Sequence, residues 1–216
     1  MKCFNYSSIY FNIAYSLITI GLIYWAIRDT RVGLAVSVAL IFVLGFVPYT
    51  IGYVPLTMVK LTLIVFGSGL LFLALNYDCF KTTANQLLTM IMRVNIGGLI
   101  VSTHNVFLAI ALLFVVATTP IITVYNKTVK LESVLIPKDA WVVLSTAVLI
   151  MYYISSQWFC HNLGLVAMAA LIPCCMHFIG DKFIESRTLA LCVLIVFDIF
   201  NNSKKSINNL LDDSTY

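Results

Sequence analysis

Residues 188–201 read TLALCVLIVFDIFN, and the acid inside this run governs how the rest of the chain is read. Asp198 stands among aliphatic and aromatic residues, with no Lys or Arg within five positions on either side. A charge at bilayer depth costs about 2.5–3.5 kcal/mol on insertion scales, so it needs a partner, water or a function. The run is also short. About 20 apolar residues span a bilayer, whereas runs of about 10–14 are more often buried or re-entrant. The stretch therefore points to an ion-handling site lined by a buried carboxylate.

Working outward, the whole chain shares this character. Its 216 residues are 61% hydrophobic and 10% charged, against about 25% charged in soluble domains. The mean hydropathy is +0.99. An integral membrane protein is expected, built from helices, because lone strands cannot satisfy their backbones in lipid. The net charge of +4 is spread over loops. Nucleic acid is not an expected partner, and no soluble catalytic domain fits. The six cysteines (Cys3, Cys79, Cys160, Cys174, Cys175 and Cys192) show neither zinc spacing nor a disulfide framework.

Hydrophobic runs fall at about 8–27, 33–53, 56–76, 83–102, 106–125, 140–158, 163–180 and 188–201. The first is read as a retained helix rather than a signal peptide, because it is long and lacks a small-x-small cleavage site. Loop charge is unevenly placed. Arg28 and Arg31, then Lys81, then Lys127, Lys130 and Lys138, then Lys182 and Arg187 follow the first, third, fifth and seventh runs. The connections near Val54, Thr103 and His161 carry no Lys or Arg. The positive-inside rule puts the charged loops in the cytosol and the amino terminus on the other side. Lys204 and Lys205 join the cytosolic set if the last run dips in and returns, which its length favours. Of the sequons at Asn5, Asn126 and Asn201, only Asn5 then faces the glycosylating side.

Lys60 lies near the end of its run and snorkels. Arg93, in QLLTMIMRVNIGGLIV (86–101), lies near the middle of its run. Two readings stay open: a buried Arg93–Asp198 ion pair, or an Arg93 satisfied by carbonyls and water with Asp198 facing a polar crevice alone. Gly97 and Gly98 suit tight helix packing. The prolines in or beside runs (Pro48, Pro55, Pro120 and Pro173) each free a carbonyl and are read as kinks.

Several stretches in order resemble the Bax-inhibitor (TMBIM) family of lifeguard and Golgi anti-apoptotic proteins. LGLVAMAALIPCCMHFIG (163–180) is similar to its penultimate helix, and LIVFDIFN (194–201) to the end of its last helix. YNKTVKLES (125–133) resembles its short basic loop, TANQLLTM (83–90) the start of its third helix, and RDTRVGLAV (28–36) the basic lead-in to its first. The resemblance implies a calcium-permeable pore whose last two helices each carry a carboxylate, the two sharing a proton and gating with pH. Asp198 matches the second carboxylate. The first falls on Cys174, so the dyad is broken, and a thiol is a poor calcium ligand.

The expected fold is therefore an all-α polytopic membrane bundle. Residues 1–30 supply a tail and an extra amino-terminal helix, 31–202 a bundle of family-like helices whose last member is re-entrant, and 203–216 a polar tail. The expected ion pathway holds Asp198, Cys174 and Arg93. The expected role is a calcium leak of an internal membrane (endoplasmic reticulum or Golgi) that dampens cell death; some family members are virus-encoded. The alternative is a non-conducting protein that binds other membrane proteins. The expected partners are the lipid bilayer, calcium ions and other membrane proteins. No metal site, cofactor or enzymatic activity is expected, since His104, His161 and Glu185 form no catalytic pattern.

Overall fold

The computed structural model describes residues 6–46, 55–155, 163–194 and 197 of the chain. The fold is mostly helical, as the apolar runs predict. Helix α1 spans Tyr6–Arg28 and α2 Thr30–Phe46, with Asp29 alone between them. Asp29 caps α2, its carboxylate accepting the Arg31 N–H at 3.0 Å. Helix α3 spans Pro55–Asn76 and passes through a short 3-10 turn, Asp78–Phe80, into α4, Lys81–Ser102.

Helix α5, Val106–Ala117, starts at an Asn105 cap whose side chain accepts the Leu108 N–H. The apolar run 106–125 is not one helix, contrary to expectation. Thr118 and Thr119 turn their hydroxyls back onto the carbonyls of Phe114 and Val115. Pro120 follows, with no N–H to continue the ladder. The β-branched residues after it form strand β1, Ile121–Tyr125, antiparallel to β2, Thr128–Glu132. Asn126 and Lys127 close the hairpin with left-handed backbone (φ 45° and 60°), the conformation that a two-residue hairpin turn demands. One hairpin face is buried through Ile122, Val124, Val129 and Leu131. Its outer edge is not left open. The Ile122 and Val124 N–H groups donate to Thr89 Oγ1 (2.8 Å) and Asn85 Oδ1 (2.7 Å), side chains one turn apart on α4.

Helix α6 spans Lys138–Ser155 and α7 Leu163–Gly180. A last helix, α8, occupies 183–194. It starts at 183 rather than 188, because Glu185 and Arg187 are buried on it instead of lying in a solvated loop. Each of α1 to α7 packs against the next, and α7 packs back on α1, so these helices close a ring. Helix α8 is enclosed by it. Phe183, Ile184, Leu189, Ala190, Cys192 and Val193 point to every side of α8, and none is more than 5% exposed. Ring helices grip it by named contacts. The Tyr15 hydroxyl of α1 donates to the Ala190 carbonyl at 2.8 Å. The Cys192 thiol reaches Ser68 Oγ of α3 at 3.7 Å; Ser68 shares a short hydrogen bond with Ser37, which donates to the Gly33 carbonyl of α2. Trp141 of α6 meets Phe183 edge-on at 5.8 Å.

Close helix approach occurs at Gly33, where a Cβ would overlap the buried Phe72 ring, and at Gly164, where it would overlap Asn12. Gly97, one of the two neighbouring glycines expected to pack tightly, faces open space. The ring is apolar on its outside as well. Phe107 is 86% and Val101 81% exposed, and Leu17, Trp25, Ile110, Met151 and Ile179 are also exposed. Among the described residues, one helical stretch, Asp78–Ser102, is long and apolar enough to cross a membrane; shorter apolar stretches are Thr30–Leu40, Thr62–Asn76, Val106–Ala117 and Ala167–Gly180.

Candidate functional site

Charged side chains of the described residues concentrate at one end of the ring and penetrate it at the foot of α8. The sequence sets this up by ending α7 with His177 and Asp181, starting α6 with Lys138 and Asp139, and opening α8 with Lys182, Glu185 and Arg187. His177, a turn from the α7 carboxyl end, is buried between two carboxylates. Its Nε2 lies 2.7 Å from Asp139 Oδ1 and its Nδ1 3.1 Å from Asp181 Oδ1. The second contact is out of line for a hydrogen bond, and Nδ1 makes none. An imidazole in the last turn of α7 and an acid, Asp139, in the first turn of α6 both sit where the helix dipoles favour them. Lys138 clamps the same corner through a 2.6 Å ion pair with Asp181. Both members are partly exposed, so the pair contributes about 0–1 kcal/mol.

One turn deeper, Glu185 is 5% exposed. Its Oε1 accepts from Lys182 at 3.0 Å, while Oε2 has no hydrogen-bond partner. Arg187 is buried too, its guanidinium 5.7 Å from the Phe183 ring. A buried acid and a buried base on an enclosed helix are costly to install. The arrangement can hold or pass a proton at Glu185 and couple α6, α7 and α8 through His177. It does not gather metal ligands: among the described residues no group of three His, Cys, Asp or Glu is placed to hold an ion.

The residues singled out from sequence fare differently. Asp198 lies outside the described residues, as do Asn5, His161, Asn201, Lys204, Lys205 and the side chain of Lys60. Cys174 is half-buried on α7 and packs against the apolar core, while Cys175 beside it is exposed. Arg93 is on an exposed position of α4, and its Nη2 donates to the Thr119 carbonyl at 3.3 Å. Helices α4 and α7 are separated around the ring by α5 and α6, so Arg93 and Cys174 are not brought together. Glu185 figured in the sequence reading only as an unconvincing acid–base candidate and Arg187 only as a loop charge. The i,i+3 spacing of Lys182 and Glu185 and the i,i+4 spacing of Phe183 and Arg187 were the available signal. His177 carried only its i,i+4 spacing to Asp181.

No family model, no curated protein and no solved structure matches the chain.

Proposed function

We propose that the chain is a multi-pass integral membrane protein of the Bax-inhibitor type, acting as a calcium leak of an internal membrane and so dampening cell death. One observation carries the membrane part. The ring is apolar outside as well as inside, while its charged corners gather at one end. Contiguous exposed apolar surface on this scale has lipid as its natural solvent. The shared end also agrees with the positive-inside assignment of the loops after α1, α3, α5 and α7. The leak part is supported by ionisable groups on the enclosed helix, Glu185 and Arg187, with Asp198 further along the same run of sequence. Ionisable residues inside a membrane bundle mark ion or proton paths.

The test is calcium efflux from liposomes reconstituted with the purified protein, between pH 6 and 8. The wild type releases calcium with a shallow pH response, because Cys174 stands where a second carboxylate would share the proton. Asp198→Asn lowers the flux. A steep pH response abolished by that substitution contradicts the broken dyad. Absence of wild-type flux favours the second reading, a non-conducting protein that binds other membrane proteins. The half-buried, apolar setting of Cys174 is the observation on that side.

A further inference from the structure

At the charged end, three stretches far apart in sequence converge on a cleft of about 440 Å³. Ligand pockets commonly measure about 300–1,000 Å³. The α1–α2 corner contributes Arg28 and Arg31, and the hairpin tip contributes Lys127. None of these three cations has an ion-pair partner among the described residues. Of the nearby acids, Asp78 lies outside the cleft lining, is bonded to Lys81 at 2.7 Å and also attracts Lys127. Asp29 accepts the Arg31 N–H. With Asp29 counted against the three cations, the lining carries a surplus of positive charge, and the amino end of α2 adds its dipole.

The cleft is built rather than incidental. Its wall is fixed by Thr30, which donates to Asn76 Oδ1 at 2.8 Å, and by Asn76, which donates to the Phe72 carbonyl at 2.7 Å. Lys127 is set in place by the left-handed hairpin turn and by the strand edge tied to Asn85 and Thr89. Tyr77, on the rim, is 54% exposed. Tyr24 and Trp25 stand exposed within a turn of Arg28. Aromatic residues beside basic ones mark the headgroup level of a bilayer.

We propose that this cleft binds the phosphorylated headgroup of an anionic phospholipid, one bearing a phosphate monoester. The shared chemistry is a phosphate dianion held by two guanidinium groups and an ammonium. Arg presents a fork to phosphate oxygens, and Lys a point charge. The lipid source follows from the cleft's place at the base of the outward apolar surface, and so rests on the membrane reading above.

Binding is measured on the purified full chain in neutral detergent, by tryptophan fluorescence. The probes are short-chain phosphatidic acid, a short-chain phosphoinositide monophosphate, short-chain phosphatidylcholine, and a soluble inositol phosphate. The expected result is at least about tenfold preference for the phosphate-monoester lipids over phosphatidylcholine. Each cation near an anionic lipid is worth about fivefold, so Arg31→Gln with Lys127→Glu lowers affinity by more than about tenfold. Lys130→Glu changes the same hairpin outside the cleft and leaves affinity unaltered. Melting curves confirm that both variants remain folded. Three results overturn the proposal: no preference over phosphatidylcholine, equal loss in Lys130→Glu, or equal affinity for the soluble inositol phosphate, which reassigns the cleft to a soluble ligand. These measurements need no bilayer. The membrane reading fails separately, if alkaline carbonate extracts the protein from cell membranes.

Discussion

Glu185 tests what one buried side chain costs. Its carboxylate is 5% exposed and Oε2 has no hydrogen-bond partner, and a buried charge met on one side only is destabilising. Glu185→Gln keeps an acceptor for Lys182 and drops the charge, so it is expected to melt higher than wild type at pH 8. An equal or lower melting temperature would contradict the burial of that carboxylate. Glycines offer a second test at this scale. Gly33→Val drives side-chain atoms into the enclosed Phe72 ring, and overpacking of this kind costs about 1–3 kcal/mol. Gly97→Ala meets nothing within 4 Å and replaces a helix-interior glycine, gaining up to about 1 kcal/mol. Opposite shifts in thermal melting check both. From sequence the two glycines were indistinguishable, since what a Cβ would strike depends on a helix distant along the chain.

Among the elements, the hairpin is the one that hydropathy conceals. The run 106–125 is apolar throughout, and an apolar average does not separate a helix from a buried strand. The cues were local: Pro120, then Ile121, Ile122, Thr123 and Val124, all β-branched. Twelve-residue α5 rises only about 18 Å, so the hairpin completes this segment of the bundle. It does so by leaning on α4. Asn85→Ala strips the acceptor from the Val124 N–H, and an unmet buried donor costs about 1–3 kcal/mol. Hydrogen exchange at Val124 is expected to accelerate in that variant while the helix amides of α6 stay protected. Helix α8 was hidden for the opposite reason: charges at 185 and 187 read as loop, although their burial makes them part of the helix.

For the whole molecule, the bundle and the clustering of charge were legible, because apolar runs and Lys/Arg asymmetry are properties of sequence alone. The convergence of Arg28, Arg31 and Lys127 was not, because nothing in the run of residues says which loops become neighbours. The topology itself is testable. Cys79 is exposed at the charged end, so on the membrane orientation proposed above an impermeant maleimide is expected to label it from the cytosolic side of sealed vesicles. The Asn126 sequon, at the same end, is expected to remain without glycan. Glycosylation at Asn126, read as an endoglycosidase-sensitive mass shift, would reverse the orientation.

The bond from Tyr15 to the Ala190 carbonyl joins positions 175 residues apart. Ribosomes add about 5–20 residues per second, so the first helix waits roughly 10–35 s after its own emergence before its partner exists. During that interval the phenol, the unfilled seat for α8 and the ring's inner walls stay uncovered. Chains released before residue 183 keep that exposure permanently, which makes them natural clients for cellular quality control.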